Sequence, residues 1–440
     1  MFGEIGVTLT GNFSALGEIQ SVTFDGIQAL AIAATPSSIT VHIQGAPSPG
    51  RAQVVIIGTS GQASSDTAFT YDAPAGGAPV TWAAFGASLT MGGQSGGLPP
   101  HGQLMSWAAQ VARAAGVFLA PPLTVDSFAP GLAPAAFVDN CYATVDTGAL
   151  QQNLLMTLKD PVTHQPDLRP GRQDPTLATR NFSVGGAKVV DVIHPATGAI
   201  GILERVAELP DGVPSAVIGP PLMRSQVDRL VALDPDVAMS MDLLFNDAQG
   251  AIGAPDDLRP ERMTPVSVIA SELALLVPRL GALHGDYFIG NLPPLDVLPA
   301  VADIRRNAIA AGIETEASFD AKIAEMRARV QEYNDALEMA VTPYPNLRVV
   351  DMSTQIQDVI SQGVEIGGQR LTGAKFGGLY SLDFAHLTDT GYALIANGFI
   401  DAINETMGLH IPEVDVAAVL AVDALSPASL AADGVHCPAE

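Results

Sequence analysis

The residues best placed for chemistry are those of Trp82-Ala-Ala-Phe-Gly-Ala-Ser-Leu-Thr90. Val80 to Phe85 reads as a short buried strand that runs into Gly86, and Ser88 follows at once. A strand ending in a tight Gly turn sets a Ser hydroxyl at the C-terminal edge of a sheet, where open α/β folds bind ligands. A nucleophilic Ser needs that placement: exposed to substrate, on rigid backbone, with a free N–H beside its own oxygen. Three further stretches bear comparable groups. Asn181-Phe-Ser-Val-Gly-Gly-Ala187 has small residues that let backbone approach a ligand and expose N–H groups. Leu244-Phe-Asn-Asp247 lies just beyond a strand-like run, and a side-chain amide there could donate to a developing oxyanion. In Asp383-Phe-Ala-His386, a turn lets the Asp bond one imidazole nitrogen while the other faces a Ser. Taken singly, each is equally an ordinary Gly turn, an Asx turn or the first turn of a helix.

The elements that must position these groups follow from the chain texture. Residues 1–73 are short β-like runs broken by turns: Val7 to Thr10, Ser21 to Phe24, Ala29 to Ala33, Ser38 to Gln44, Ala52 to Gly58 and Thr67 to Tyr71. Such spacing predicts a small all-β sandwich. Ala73-Pro-Ala-Gly-Gly-Ala-Pro79 is a linker by composition. From residue 80 to 408, strand and helix signals alternate, which predicts a parallel sheet with helices on both faces. Expected helices include Gly102 to Ala115, Leu222 to Leu233, Pro265 to Leu280, Ser318 to Val341 and Thr388 to Thr406. Expected strands are Asp236 to Asp242, Asp286 to Gly290 and Leu347 to Met352. Pro121 to Arg180 is Pro-rich and poorly periodic, a long excursion over the surface, and 409–440 reads as a tail.

Composition narrows the classes. The chain has 440 residues, enough for two domains, with 48% hydrophobic and 15% charged residues, which is globular rather than disordered. The formal net charge of -25 argues against nucleic acid and anionic membranes as partners. No run of about 18 uncharged apolar residues marks a transmembrane segment. The opening ten residues lack the basic and apolar regions of a signal peptide and read like the middle of a strand, so an upstream piece is expected to be absent from this chain. Cys141 and Cys437 are too few for a disulfide framework, and the pair is either bridged or free.

In order and at successive strand ends, the four blocks resemble the GDSL/SGNH hydrolase family over residues 80–408. The Asn-Phe-x-x-Gly-Gly-Ala form and Asn291-Leu-Pro-Pro-Leu295 are similar to its lipase-like branch. The resemblance implies a three-layer α/β/α, flavodoxin-like parallel sheet. It implies Ser88 as nucleophile, His386 as general base and Asp383 as the carboxylate that orients it, with the Ser88 N–H, the Gly186 N–H and the Asn246 side chain as oxyanion donors. It implies a serine esterase or lipase acting on a small-molecule or lipid ester. None of the histidines shows metal-ligand spacing with a Cys or carboxylate partner, so no metal and no cofactor are expected. Ala87 stands where the family usually has Asp, so the order of that loop is expected to suffer; Leu244 stands where Gly is usual. The first stretch, with Leu9-Thr-Gly-Asn-Phe13, Val22-Thr-Phe-Asp-Gly26 and Ala68-Phe-Thr-Tyr71, resembles the Ig-like IPT/TIG domain, a spacer or adhesion module that favours a secreted or cell-surface setting. Two other functions stay open: a carbohydrate O-acetylesterase acting on an acylated glycan, and a catalytically weak binding or adhesion protein. A second Asp-x-x-His, Asp433-Gly-Val-His436, lacks a following helix and is the weaker candidate; His101 and His194 could line the cleft.

Overall fold

The computed structural model describes residues 5–43 apart from 26 and 30, then 50–71, 75, 78–79, 81–124 apart from 118, 131–138, 141, 179–195 and 224–437. Most of the Pro-rich excursion, and the first residues of the expected strand at 80 and helix at 222, lie outside the described residues.

The N-terminal part is built from strands β1 (Ile5–Thr10), β2 (Ile19–Phe24), β3 (Ile27–Gln28), β4 (Ala31–Ala34), β5 (Ser38–Ile43), β6 (Gly50–Gly58) and β7 (Gly61–Tyr71). They form two antiparallel sheets, ordered β1-β5-β4 and β3-β2-β6-β7. The period-2 alternation sorts side chains inward: Val7, Leu9, Val22, Phe24, Ile39, Val41, Val54 and Ile56 make one buried cluster. The apolar run Ala52 to Gly58 obeys that alternation too, since Ala52, Val54 and Ile56 are buried while Ile57 faces out. Phe69 packs edge-on against Phe24 at 5.0 Å.

The second part is organised on the parallel strands β8 (Trp82–Ala84), β9 (Val237–Ser240), β10 (Asp286–Gly290) and β11 (Leu347–Val350), ordered β11-β10-β9-β8. Beyond β8, Asn181 makes a single parallel bridge to Ala84, with Ala84 N–H to Arg180 O at 3.0 Å and Phe182 N–H to Ala84 O at 2.7 Å. The chain therefore leaves β8 toward one side and returns on the other, which is the 2-1-3-4-5 order of flavodoxin-like sheets with its second strand reduced to one bridge. The crevice at the C-terminal end of β8 is the switch point of that order. Every residue of β8 and β9, and Tyr287 to Gly290 of β10, is buried. Successive strand side chains point to opposite faces, so both faces of the sheet are covered.

The helices doing the covering are amphipathic. In chain order they are α1 (Ser88–Met91), α2 (Pro100–Leu104), α3 (Trp107–Ala115), α4 (Val189–Ile193), α5 (Gln226–Leu233), α6 (Phe245–Gln249), α7 (Val266–Gly281), α8 (Pro299–Ala310), α9 (Glu316–Val341), α10 (Met352–Gln362), α11 (Asp389–Met407), α12 (Val416–Leu420) and α13 (Pro427–Ala432). One group packs α3 against α11, with Trp107 stacked on Phe399 at 4.1 Å; another packs α7 against α9 and α4. Pro260–Gly281 is long and apolar enough to cross a membrane, and its Ile269, Leu273, Leu276 and Leu280 are buried in the core of this part. The helix expected over 102–115 is in two pieces. Ser106 separates them and caps α3, its hydroxyl accepting from Ala109 N–H at 3.2 Å.

The last residues are integral to this part. Leu430 and Val435 are buried with Phe137, Phe376, Leu382 and Phe384, and Cys141 is bonded to Cys437. Thr390 donates to buried Asp423 through N–H at 2.9 Å and hydroxyl at 2.6 Å, which ties the tail to the start of α11.

Candidate active site

Ser88 begins α1, immediately past the Gly86 turn at the end of β8. The turn needs glycine. Gly86 has φ +125°, and a Cβ there would sit 2.5 Å from Asp242 Oδ1 and 2.7 Å from Ser240 Oγ. Gln226 clamps the same residue, its Oε1 accepting Gly86 N–H at 2.8 Å and its Nε2 donating to Gly86 O at 2.9 Å. From the end of β9, the carboxylate of Asp242 gathers the turn that carries Ser88. Oδ1 accepts Ala87 N–H at 2.9 Å and the Thr90 hydroxyl at 2.6 Å; Oδ2 accepts Leu89 N–H at 2.7 Å and Thr90 N–H at 3.2 Å. Among the described residues, nothing accepts from the Ser88 N–H.

The second block lies against the first. Val184 N–H donates to Gly86 O at 3.1 Å, and Ala87, Val184 and Ala187 form one small apolar cluster. Asn181 Nδ2 donates to Thr90 O at 2.8 Å, binding the block to α1. The third block reaches the second: Asn246 Nδ2 donates to Ala187 O at 2.8 Å, and the other hydrogen of that amide has no acceptor among the described residues. Asp247 beside it accepts Val189 N–H at 2.9 Å and fixes the start of α4. Leu244 has φ -106°, open to any L-residue, and its side chain is buried. The fold at that position asks for no glycine. Blocks one, two and three are therefore contiguous, and the Gly186 N–H has no acceptor among the described residues.

The fourth block supplies an imidazole. His386 Nδ1 and Asp383 Oδ2 are 2.5 Å apart. Asp383 Oδ2 also accepts Gly96 N–H at 2.5 Å, and Oδ1 accepts His386 N–H at 2.9 Å, Ala385 N–H at 3.1 Å and the Ser381 hydroxyl at 3.1 Å. Burial pushes the Asp383 carboxyl up, but the His386 charge and these donors prevail and hold it well below the carboxylate range. Burial lowers His386, while the charge and hydrogen bond of Asp383 and the charge of Asp242 outweigh it, so its net shift is upward from 6.5. The turn passes through Phe384 in the left-handed region (φ 58°), a conformation rare for a bulky side chain. Phe384 is held there among Phe137 and Phe376, at 5.9 and 5.3 Å between ring centres, with Lys375 Nζ 4.3 Å above its ring.

The Ser88 loop and the imidazole meet at Gly93. A Cβ on Gly93 would stand 2.8 Å from both Cδ2 and Nε2 of His386 and 3.1 Å from Ser88 O. The free imidazole nitrogen thus looks onto the turn that carries Ser88. Gly92 and Gly93 N–H groups both donate to Ser88 O, at 2.9 and 2.6 Å, and the Tyr392 hydroxyl donates to Gly93 O at 2.6 Å. The structure therefore brings Ser88, Gly186, Asn246, Asp383 and His386 into one neighbourhood. It leaves others out. Asp433 and His436 are exposed and make no hydrogen bond to each other. His194 is exposed at the end of α4. His101 is turned to Asp389, Nε2 to Oδ2 at 2.6 Å; that hydrogen bond outweighs burial and raises its pKa. Gln94 Nε2 donates to the other oxygen of Asp389 at 2.7 Å, so the pair braces the glycine loop.

Sequence reasoning missed Asp242, Gln226, Gln94 and Tyr392. Asp242 alone left a signal: an acid just past a short buried strand, with Ala in place of an acid beside Ser88.

An α/β protein with an Asp–His pair facing a turn serine, at the C-terminal edge of a parallel sheet, is built as a hydrolase. Residues 83–399 match the family model described as GDSL-like Lipase/Acylhydrolase, and the chain belongs to that family. Membership implies ester hydrolysis. The match begins at β8 and leaves β1–β7 outside it. Among solved structures, an alpha/beta hydrolase enzyme from the metagenome of Lake Arreo, Spain, is similar at TM-score 0.34 and 17% identity, over 76% of this chain and 98% of that one. No curated protein matches the chain.

Proposed function

We propose that this protein is a serine esterase that hydrolyses carboxylic esters through an acyl-enzyme on Ser88. The observation that carries the reading is the orientation of His386: Asp383 binds Nδ1, and Nε2 faces the Gly93 loop that is hydrogen-bonded to Ser88. Nε2 takes the Ser88 proton as Oγ attacks the ester carbonyl, and Asp383 stabilises the imidazolium that forms. The tetrahedral oxyanion is met by the N–H groups of Ser88 and Gly186 and the unused amide hydrogen of Asn246. The alcohol leaves with the proton from His386, and water deacylates Ser88 by the same route. The test is Ser88→Ala with p-nitrophenyl acetate and butyrate, together with fluorophosphonate labelling of the wild type. Loss of turnover in a folded variant, and a label on Ser88, are expected; retained turnover overturns the assignment.

We infer further that 1–73 and 80–408 are the functional divisions of the chain, with 409–440 a C-terminal segment packed onto the second, and that the first is an Ig-like module of IPT/TIG type. Its support is the pair of antiparallel sheets around one core. Such a module fits an extracellular polymer, so a carbohydrate O-acetylesterase is the second reading; a panel of acyl chain lengths against acetylated glycans separates the two. A secreted or surface setting agrees with the Cys141–Cys437 bond, since disulfides persist in oxidising compartments. Against a weakly active binding protein stand the Asp242 contacts under Ala87 and the ordinary backbone of Leu244.

A further inference from the structure

We propose that Asp242 is a positioning residue: from the end of β9 it holds the turn that carries Ser88 and keeps the Ser88 N–H free for the oxyanion, a task the Ser88 turn cannot perform for itself with Ala at 87. The inference rests on the reading of Ser88 as nucleophile.

The four donors that converge on the carboxylate come from Ala87, Leu89 and Thr90, the residues flanking Ser88, while the Ser88 N–H itself goes untaken. Burial pushes the Asp242 carboxyl up while its four donors oppose that shift; in its ionised form it accepts all four at once, whereas an amide offers a single acceptor oxygen. Asp242 is 1% exposed, so water cannot substitute for it. Ala87 cannot contribute a polar group, and its methyl is spent against Val184 and Ala187. Without Asp242, three backbone N–H groups and a hydroxyl would be buried unsatisfied, and the turn would twist to recruit other acceptors. Adjacent parallel strands make the arrangement rigid, because Ala84 pairs with Met239 and fixes the ends of β8 and β9 relative to each other.

Two carboxylates raise His386 through their charge: Asp383 on its own turn and, more weakly, Asp242 from beyond β9. Tyr392, from α11, is held neutral by burial. Removing the charge at 242 should therefore reach the imidazole as well as the turn, which a purely structural role would not do.

The experiment compares Asp242→Asn and Thr90→Val with wild type for kcat, KM, the acid limb of the pH profile and the rate of fluorophosphonate labelling, with circular dichroism as the check on folding. Asp242→Asn should lose about 10²–10³ in kcat and in labelling rate, the scale of a displaced oxyanion donor, with KM little changed and the acid limb moved to lower pH. Thr90→Val removes one donor and keeps the charge, so it should lower kcat less and leave the acid limb in place. Wild-type kcat in folded Asp242→Asn, or a loss of kcat with no shift of the acid limb, overturns the proposal. If Asp242→Asn does not fold, Thr90→Val decides alone, and unchanged kcat overturns it. Turnover by Ser88→Ala would sink the nucleophile reading itself; an inert Ser88→Ala beside an unaffected Asp242→Asn sinks only this inference.

Discussion

A single methyl group at Gly93 tests the assembly of the site. Its backbone lies outside the left-handed region, so alanine fits the chain there without strain. What it meets is the imidazole: the new Cβ would be 2.8 Å from His386 Cδ2 and Nε2. Carbon contacts settle near 3.5–4.0 Å, so the ring or the turn must give by roughly 0.7 Å or more. The turn resists, because Gly92 and Gly93 N–H both hold Ser88 O and Tyr392 holds Gly93 O. The ring pivots instead about its bond to Asp383, and Nε2 swings away from Ser88. A misplacement near 1 Å costs about 10² in rate, or about 2.7 kcal/mol of barrier. Gly93→Ala should therefore lower kcat about 100-fold, slow fluorophosphonate labelling equally, and leave KM and Tm nearly unchanged. Wild-type kcat and labelling would show that the imidazole does not serve Ser88. A loss of kcat that merely follows a falling Tm would show that Gly93 matters for folding alone.

Other predictions follow from the same geometry. The general base must be neutral, and His386 is shifted up from 6.5, so kcat/KM should rise with pH through a midpoint above 6.5; a midpoint at or below that value contradicts the Asp383 and Asp242 electrostatics. Asn246→Ala should cost about 10²–10³ in kcat if its amide meets the oxyanion, and a change in KM alone would reassign it to substrate binding. Cys437→Ser opens a link that spans a sequence separation of 296 residues, so Tm should fall by an amount equivalent to about 3–5 kcal/mol; an unchanged Tm under non-reducing conditions would show that the apolar contacts of Leu430 and Val435 suffice.

The alternation of strand and helix signals was enough to place β8 to β11 and the long helices, because buried parallel strands read as short apolar runs and covering helices keep a 3.6-residue stripe. The four blocks were legible because the chemistry of each is local: a Gly turn before Ser88, an Asp three residues before His386. The rest depended on tertiary partners. Asn181 joins the sheet by one bridge, too short to have a period. The hairpin β12 (Val364–Ile366) and β13 (Gln369–Leu371) turns on Gly367 and Gly368 and is too brief to show alternation. Leu430 and Val435 looked like tail residues, and their burial comes from a cluster with Phe137, Phe376, Leu382 and Phe384, distant in sequence. The carboxylate missing at Ala87 has a counterpart in Asp242, just past a neighbouring strand, which accepts the Ala87 N–H.

The placement of the residues along the chain also governs when the protein can act. A ribosome delivers Ser88 long before His386, and Leu430, Val435 and Cys437, which close the back of the Phe384 turn, follow later still. A nascent polypeptide therefore carries the Ser88 turn without the Asp383–His386 pair through most of its synthesis. A product that ends before residue 386 lacks the Asp383–His386 pair altogether.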